Sequence, residues 1–214
     1  MRLVLASASP RRRELLARLG LPFDVVPSGA SEALLPGLPI LTGVADLALR
    51  KARDVAARIQ REQGGPAVVL GADTLVVLDG WPFGKPASPA DARRMLTALA
   101  GRTHAVVTAV GLVESGVERP RAFGSPDREA TETVVSRVIM RPYSAGEIEA
   151  YLATPEPYDK AGAYAVQGAG GQFVLRVEGC YTNVVGLPLT TTARLLRAFG
   201  LPAGTPEAAT DRLG

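Results

Sequence analysis

The sequence predicts an α/β fold around a largely buried sheet, and three observations carry that prediction. Short β-branched or leucine-rich runs alternate with amphipathic helical stretches along the chain. Two of the helical stretches open on the same signal, a serine followed by proline, at Ser9-Pro10 and Ser88-Pro89. The chain has 214 residues, 47% of them hydrophobic and 21% charged, enough for one core in a single or deeply lobed unit.

Residues 3–6 are the first strand. Ser9 caps the helix that follows, Pro10 fixes its first turn, Leu15, Leu16 and Leu19 form its apolar stripe, and Gly20 ends it. Val44, Leu47, Ala48, Ala52, Val55, Ala56 and Ile59 recur at helical spacing, which predicts a second helix closed by Gly64-Gly65-Pro66. Residues 67–70 and 75–78 read as two strands separated by Gly71-Ala72-Asp73-Thr74, with an Asp79-Gly80 turn after them. A third helix starts at Ser88-Pro89 and buries Ala92, Met95, Leu96 and Leu99. Strands follow over 104–113 and 131–140, joined by a surface loop over 114–128. Ser144 and Glu147 make a capping box for a short helix. Residues 155–164 form a loop, and two further strands, at 165–166 and 173–177, flank Gly168-Ala169-Gly170-Gly171. The last helix covers 189–199. Residues 1–200 therefore read as one domain, and 201–214, rich in Pro, Gly, Ala and Thr, as a flexible tail.

Composition excludes several classes. No apolar run approaches the roughly 18 residues of a membrane-spanning helix, and the apolar start at residues 3–6 is too brief for a signal peptide, so neither a membrane partner nor secretion is expected. Cys180 is the sole cysteine, which fits a reducing cytoplasm. The 24 Lys+Arg against 21 Asp+Glu leave a net charge of +3, below the concentrated excess of a nucleic-acid binder. His104 is the sole histidine, so a histidine-based triad and a multi-histidine metal centre are excluded, and acid–base chemistry falls to carboxylates, Lys or Tyr. Neither a Walker sequence nor G-x-G-x-x-G follows the first strand, against a P-loop NTPase or a dinucleotide-binding fold.

Some charges stand where local rules disfavour them. Arg11 and Arg12 occupy the first turn of a helix, where unpaired N–H groups and the macrodipole are already positive, at a cost of roughly 0.3–1 kcal/mol each. Two readings stay open: a solvated basic turn, or a phosphate site built from backbone N–H groups, the hydroxyls of Ser7 and Ser9, and the guanidinium forks. Lys51 lies four residues from both Leu47 and Val55, so its stem faces inward, either snorkelling to the core rim or holding its ammonium in a cleft. Asp73 interrupts an apolar run beside Gly71 and is either a turn aspartate or a site carboxylate. Lys85 in Gly84-Lys85-Pro86, Asp159-Lys160 as a surface pair, and Gln167 before the glycine-rich turn point nowhere by spacing alone.

Taken together, Ser7-Ala8-Ser9-Pro10-Arg11-Arg12-Arg13-Glu14-Leu15-Leu16, Gly71-Ala72-Asp73-Thr74, Gly84-Lys85-Pro86, Asp159-Lys160-Ala161-Gly162-Ala163-Tyr164 with Gln167-Gly168, and Asn183-Val184-Val185-Gly186-Leu187-Pro188 resemble the Maf family of nucleoside triphosphate pyrophosphatases. The resemblance runs in the family's order from about residue 3 to 199. It implies an elongated, two-lobed α/β fold with a central mixed sheet flanked by helices and a cleft, akin to the inosine triphosphate pyrophosphatases. It also implies a homodimeric cytoplasmic enzyme that uses Mg²⁺ or Mn²⁺ to cleave a triphosphate between the α and β phosphates, with Asp73 as proton acceptor for water.

On this resemblance Ser7, Ser9, Arg11, Arg12, Lys51 and Lys85 gather the triphosphate, and Glu32 and Asp73 hold the metal. Where the family often has two adjacent acids after the first helix, this chain has Ser31-Glu32, which leaves the role to Glu32. Arg11, Thr74 and Gln167 occupy the positions that look diagnostic of substrate, and their combination resembles the branch acting on dTTP and UTP. The branch acting on 7-methyl-GTP tends to carry an aromatic residue, Gln and Glu there. A neutral amide offers both donor and acceptor to a pyrimidine edge, whereas a carboxylate suits a cationic methylated guanine. The alternative functions are a nucleotide-sensing or septum-regulating binding module, since Maf proteins are also linked to arrest of septum formation, and a Maf enzyme preferring 7-methyl-GTP.

Overall fold

The computed structural model describes residues 1–62, 65–116 and 128–205. Of the loop expected over 114–128, residues 117–127 lie outside the described residues. The elements, in order, are β1 (Arg2–Leu5), α1 (Pro10–Ala17), β2 (Phe23–Val25), α2 (Ile40–Arg61), β3 (Ala67–Leu78), β4 (Trp81–Phe83), α3 (Pro89–Leu99), β5 (Thr103–Ser115), β6 (Glu129–Met140), α4 (Ala145–Leu152), β7 (Val174–Glu178), α5 (Tyr181–Val185) and α6 (Leu189–Ala198). The strands form a mixed seven-stranded sheet in the order β2-β1-β3-β5-β6-β7, with β4 paired to β3. β1 runs parallel to β2 and β3, while β3–β4 and β6–β7 are antiparallel. The α/β reading of the sequence and its sheet flanked by helices are therefore observed.

Helix starts follow the capping residues. Ser9 accepts from the Arg12 N–H, Ser88 from the Asp91 N–H, and Ser144 with Glu147 forms the reciprocal capping box. Within that box the Ser144 N–H and Arg141 hold the Glu147 carboxyl down to about 2.

Two expectations are corrected. Residues 67–78 are one strand rather than two, because Gly71 to Thr74 stay extended under α2 and keep the ladder unbroken. The stretch after residue 155 contains no strand before β7. It folds instead as short 3₁₀ turns at Glu156–Asp159, Ala161–Ala163 and Ala169–Phe173, since its proline and glycines favour tight local turns over ladder pairing. β2, β4 and α5 are additional elements. β4 completes a hairpin through Asp79 (φ 50°) and Gly80 (φ 81°), the positive pair that a two-residue hairpin turn requires.

The described residues group into two compact units. One comprises Met1–Asp73, Thr108–Val134 and the stretch beginning at Gly186; the other comprises Thr74–Val107 and Val135–Val185. In the first, Val4, Ala6, Val55, Ala56, Ile59, Val69 and Val113 form a buried cluster between α2 and the sheet. Of the stretch expected to fray, residues 201–205 are held. Leu201 and Ala203 are buried, and the Gly204 N–H donates to the Leu19 carbonyl at 2.9 Å. Residues 206–214 lie outside the described residues. In the second unit, Phe173 packs against Tyr143 (4.4 Å) and edge-on against Tyr151 (5.3 Å). There His104 is buried, hydrogen-bonded through Nε2 to the Tyr164 hydroxyl at 2.8 Å, with Nδ1 buried and unpartnered among the described residues.

Burial holds the His104 ring neutral, with its pKa lowered to about 4 from an ordinary value near 6.5. The unfolded chain takes up this proton as pH falls below about 6.5, while the folded chain does not until about 4. Stability therefore drops through that window and levels off below it. At about 1.4 kcal/mol per unit, the loss is roughly 3 kcal/mol. Urea unfolding at pH 7 and pH 4 should show a pH-dependent loss larger by about that amount in the wild type than in His104→Gln; equal losses would refute the assignment.

Candidate active site

In the first unit, β1 delivers the chain to α1 through a loop folded by its own serines. Ser7 Oγ accepts from the Ser9 N–H at 3.2 Å and from Arg12 Nη1 at 3.4 Å, and Ser9 Oγ accepts from the Arg12 N–H at 3.5 Å. Arg12 Nε donates to the Gly186 carbonyl at 3.0 Å, so the guanidinium is folded back over the helix start. Burial lowers the pKa of Arg12, Asp73 and then Glu32 oppose that shift, and Arg11 adds to it. Arg12 therefore belongs to the same electrostatic site as the two carboxylates. Arg11 is half-buried beside it, and Arg13 is exposed.

The carboxylates meet at Lys51. Its Nζ donates to Asp73 Oδ1 and to Glu32 Oε1, each at 2.7 Å. The Lys51 and Asp73 side chains are 8% and 11% exposed, against 52% for Glu32. A buried pair of this kind is a weak source of net stability, because desolvation cancels most of the attraction; removing one partner leaves a stranded charge, at about 3–5 kcal/mol. Such a pair points to a chemical role. Glu32 is located by Arg50, whose Nη1 and Nη2 donate to the carbonyls of Ser31 (3.1 Å) and Ala33 (2.7 Å), while its Nε is held by Asp46 at 2.7 Å.

The close approach that brings Lys51 to Asp73 depends on glycine. A Cβ at Gly71 would lie 2.2 Å from the Ala48 carbonyl oxygen and 2.8 Å from the Ala52 nitrogen; at Gly111 of β5 it would lie 3.0 Å from the Leu49 nitrogen. Backbone on backbone at that distance leaves no side chain to yield. α2 thus rests directly on β3, one residue pair away from Asp73.

Two carboxylates converging on one point supply hard oxygen donors, the set that Mg²⁺ or Mn²⁺ takes together with substrate phosphate oxygens. Among the described residues no group of three or more His, Cys, Asp or Glu side chains is placed to hold a metal without such help.

Comparison with known proteins decides the family. The model of the Maf-like protein family matches residues 2–199. The chain belongs to the Maf family. It is 52% identical to the dTTP/UTP pyrophosphatase of Moorella thermoacetica (94% of this chain, 96% of that one) and 49% identical to that of Anaeromyxobacter dehalogenans (94% and 95%). It is 47% identical to that of Methylococcus capsulatus, over 94% of this chain and 92% of that one. A solved nucleoside-triphosphatase / dITP/XTP pyrophosphatase from Mycobacterium abscessus is 18% identical, with a TM-score of 0.34 over 65% of this chain and 74% of that one.

Within this Maf protein the first unit brings together Ser7, Ser9, Arg11, Arg12, Glu32, Lys51 and Asp73. Thr74, Lys85 and Gln167 belong to the second unit. Thr74 is half-buried; Lys85 is exposed on the turn after β4. Gln167 is exposed, with its side chain hydrogen-bonded to Tyr181. Lys160 pairs with Asp159, but with its side chain 14% exposed against 70% for Asp159 it is not the surface pair expected. Cys180 Sγ lies 3.2 Å from Thr182 Oγ1. Sequence reasoning missed Arg50 and the Gly186 carbonyl. The i, i+4 spacing of Asp46 and Arg50 was the available signal for the first; a backbone carbonyl leaves none.

Gly71→Ala should destabilise the protein by about 3 kcal/mol through overpacking, read as a lowered denaturation midpoint. Its residual folded fraction should lose pyrophosphatase activity beyond what the unfolded fraction explains. An unchanged midpoint would show that α2 does not rest on β3 as described.

Proposed function

We propose that this protein hydrolyses dTTP and UTP to the nucleoside monophosphate and pyrophosphate, as the names of its relatives suggest for them. The observation that carries the reading is the convergence of Lys51 on Asp73 and Glu32, with Arg12 within electrostatic reach of both carboxylates. Negative charge builds on phosphate oxygens as the anhydride breaks, so fixed positive charge beside a carboxylate acceptor suits the reaction.

In this reading the α1 start, Ser7, Ser9, Arg11 and Arg12 bind the phosphate chain, with Lys51 and Lys85 adding charge. Asp73 aligns a water molecule and takes its proton. The water oxygen forms a new bond to phosphorus as the α–β anhydride bond breaks, and pyrophosphate leaves. Glu32 and Asp73 would hold a divalent cation, which when bound neutralises phosphate charge and polarises the bond under attack. Arg11, Thr74 and Gln167 set the preference for a pyrimidine base. The family likeness also supports a cytoplasmic homodimer. No helix among the described residues is long and apolar enough to cross a membrane.

Pyrophosphate release should be at least about tenfold faster, as kcat/KM, for dTTP and UTP than for CTP, GTP or 7-methyl-GTP. A flat panel would favour a nucleotide-sensing module instead, and a preference for 7-methyl-GTP would favour the other branch. Asp73→Asn should lower kcat by about 10²–10⁴-fold, the usual contribution of a general base; near wild-type turnover would remove Asp73 from that role. Arg12→Ala should raise KM by about tenfold with a smaller effect on kcat. Chelation with EDTA should abolish turnover and added Mg²⁺ restore it, whereas unchanged turnover would reject the metal.

A further inference from the structure

In the second unit one acidic side chain is spent on two backbone N–H groups and a tyrosine hydroxyl. Glu156 Oε1 accepts from the Gly170 N–H at 2.9 Å and from the Tyr151 hydroxyl at 2.9 Å, and Oε2 accepts from the Ala169 N–H at 3.1 Å. The carboxylate also fills the space over Gly168, where a Cβ would lie 2.4 Å from Oε2, and Gly168 has φ 126° and ψ −159°. That backbone region is accessible essentially to glycine only. The turn is therefore bent sharply at Gly168 and clamped just after it, and the residue entering it is Gln167.

Gln167 carries an exposed amide whose direction is set by the backbone that enters this bend and by Tyr181, to which the side chain is hydrogen-bonded. An amide distinguishes a base edge only if its donor and acceptor are held in fixed places, since a rotating amide offers either group to either edge. We infer that Glu156 is a positioning residue for Gln167, and that the discrimination of this enzyme among nucleoside triphosphates depends on the carboxylate clamp at Ala169 and Gly170. The inference rests on the proposed pyrophosphatase reading and on the role of Gln167 in it.

The experiment measures kcat and KM for dTTP, UTP and CTP with wild type, Glu156→Gln and Tyr151→Phe, alongside thermal denaturation of each. Glu156→Gln keeps the shape but turns an NH₂ group toward a backbone donor. It should reduce the kcat/KM preference for dTTP over CTP by about tenfold, mainly through KM for dTTP, with kcat changing less than about threefold. Tyr151→Phe leaves both backbone contacts in place and should move the preference less, in the same direction; it also serves as the test if Glu156→Gln does not fold. A folded Glu156→Gln or Tyr151→Phe protein with the wild-type preference, or one whose turnover falls equally for all three nucleotides, overturns the inference. A wild type without preference or without turnover overturns the functional reading, and the inference with it, and is recognised in the wild-type arm alone.

Discussion

The contact on which the first unit depends is the one between α2 and β3 at Gly71. A helix normally stands off a sheet by the thickness of two side chains. Here the Ala48 carbonyl and Ala52 nitrogen occupy the volume a Cβ would take, with Gly111 giving way in the same manner on β5. The gain is reach: a lysine at position 51, buried on α2 like Ala48, Ala52 and Val55, arrives at the Asp73 carboxylate. Placed any farther off, the ammonium would need solvent around it, and the pair would become an ordinary surface contact worth little.

The charges around this contact make sense only jointly. Lys51 between two carboxylates answers the difficulty of a buried ammonium. Arg12 in the first turn of α1, unfavourable by the macrodipole, is held by Ser7 and the Gly186 carbonyl, and the same carboxylates favour its charge. Low local polarity strengthens every one of these interactions, attractive and repulsive alike. On the proposed reading, groups arranged in this way meet the phosphate chain already oriented, so little reorganisation is needed when its charge rises.

Much of this was readable from the chain. Apolar periodicity and Ser-Pro starts located α1, α2 and α3. The inward stem of Lys51 followed from its spacing to Leu47 and Val55, and the capping box of α4 from Ser144 and Glu147. What escaped were features created by tertiary contact. Gly71 reads as a strand breaker in one dimension, because glycine weakens isolated strands; it is the helix above that makes glycine the only residue β3 tolerates there. The segment after Pro155 reads as loop and strand from its composition, while the last of its 3₁₀ turns is held by Glu156, whose backbone partners lie 13 and 14 residues on. The spacing of Asp46 and Arg50 marks their pairing, but not the Ser31 and Ala33 carbonyls that Arg50 also holds.

Two tight turns in this chain show opposite treatments of exposed backbone N–H groups. At the start of α1 the only side-chain cap is a neutral serine, no acid stands in the first turn, and the neighbouring side chains are basic. At the 3₁₀ turn Ala169–Phe173 the N–H groups are taken up by the chain's own carboxylate. Unsatisfied N–H groups attract whichever anion is nearest. A protein that handles a polyanion therefore gains from filling such a turn internally where the base edge is to be read, and from leaving it to hydroxyls and guanidinium groups where phosphate is to be gathered. On the proposed reading, Ser9 in one place and Glu156 in the other sort these tasks by charge, the acid serving recognition through two backbone N–H groups and the Tyr151 hydroxyl.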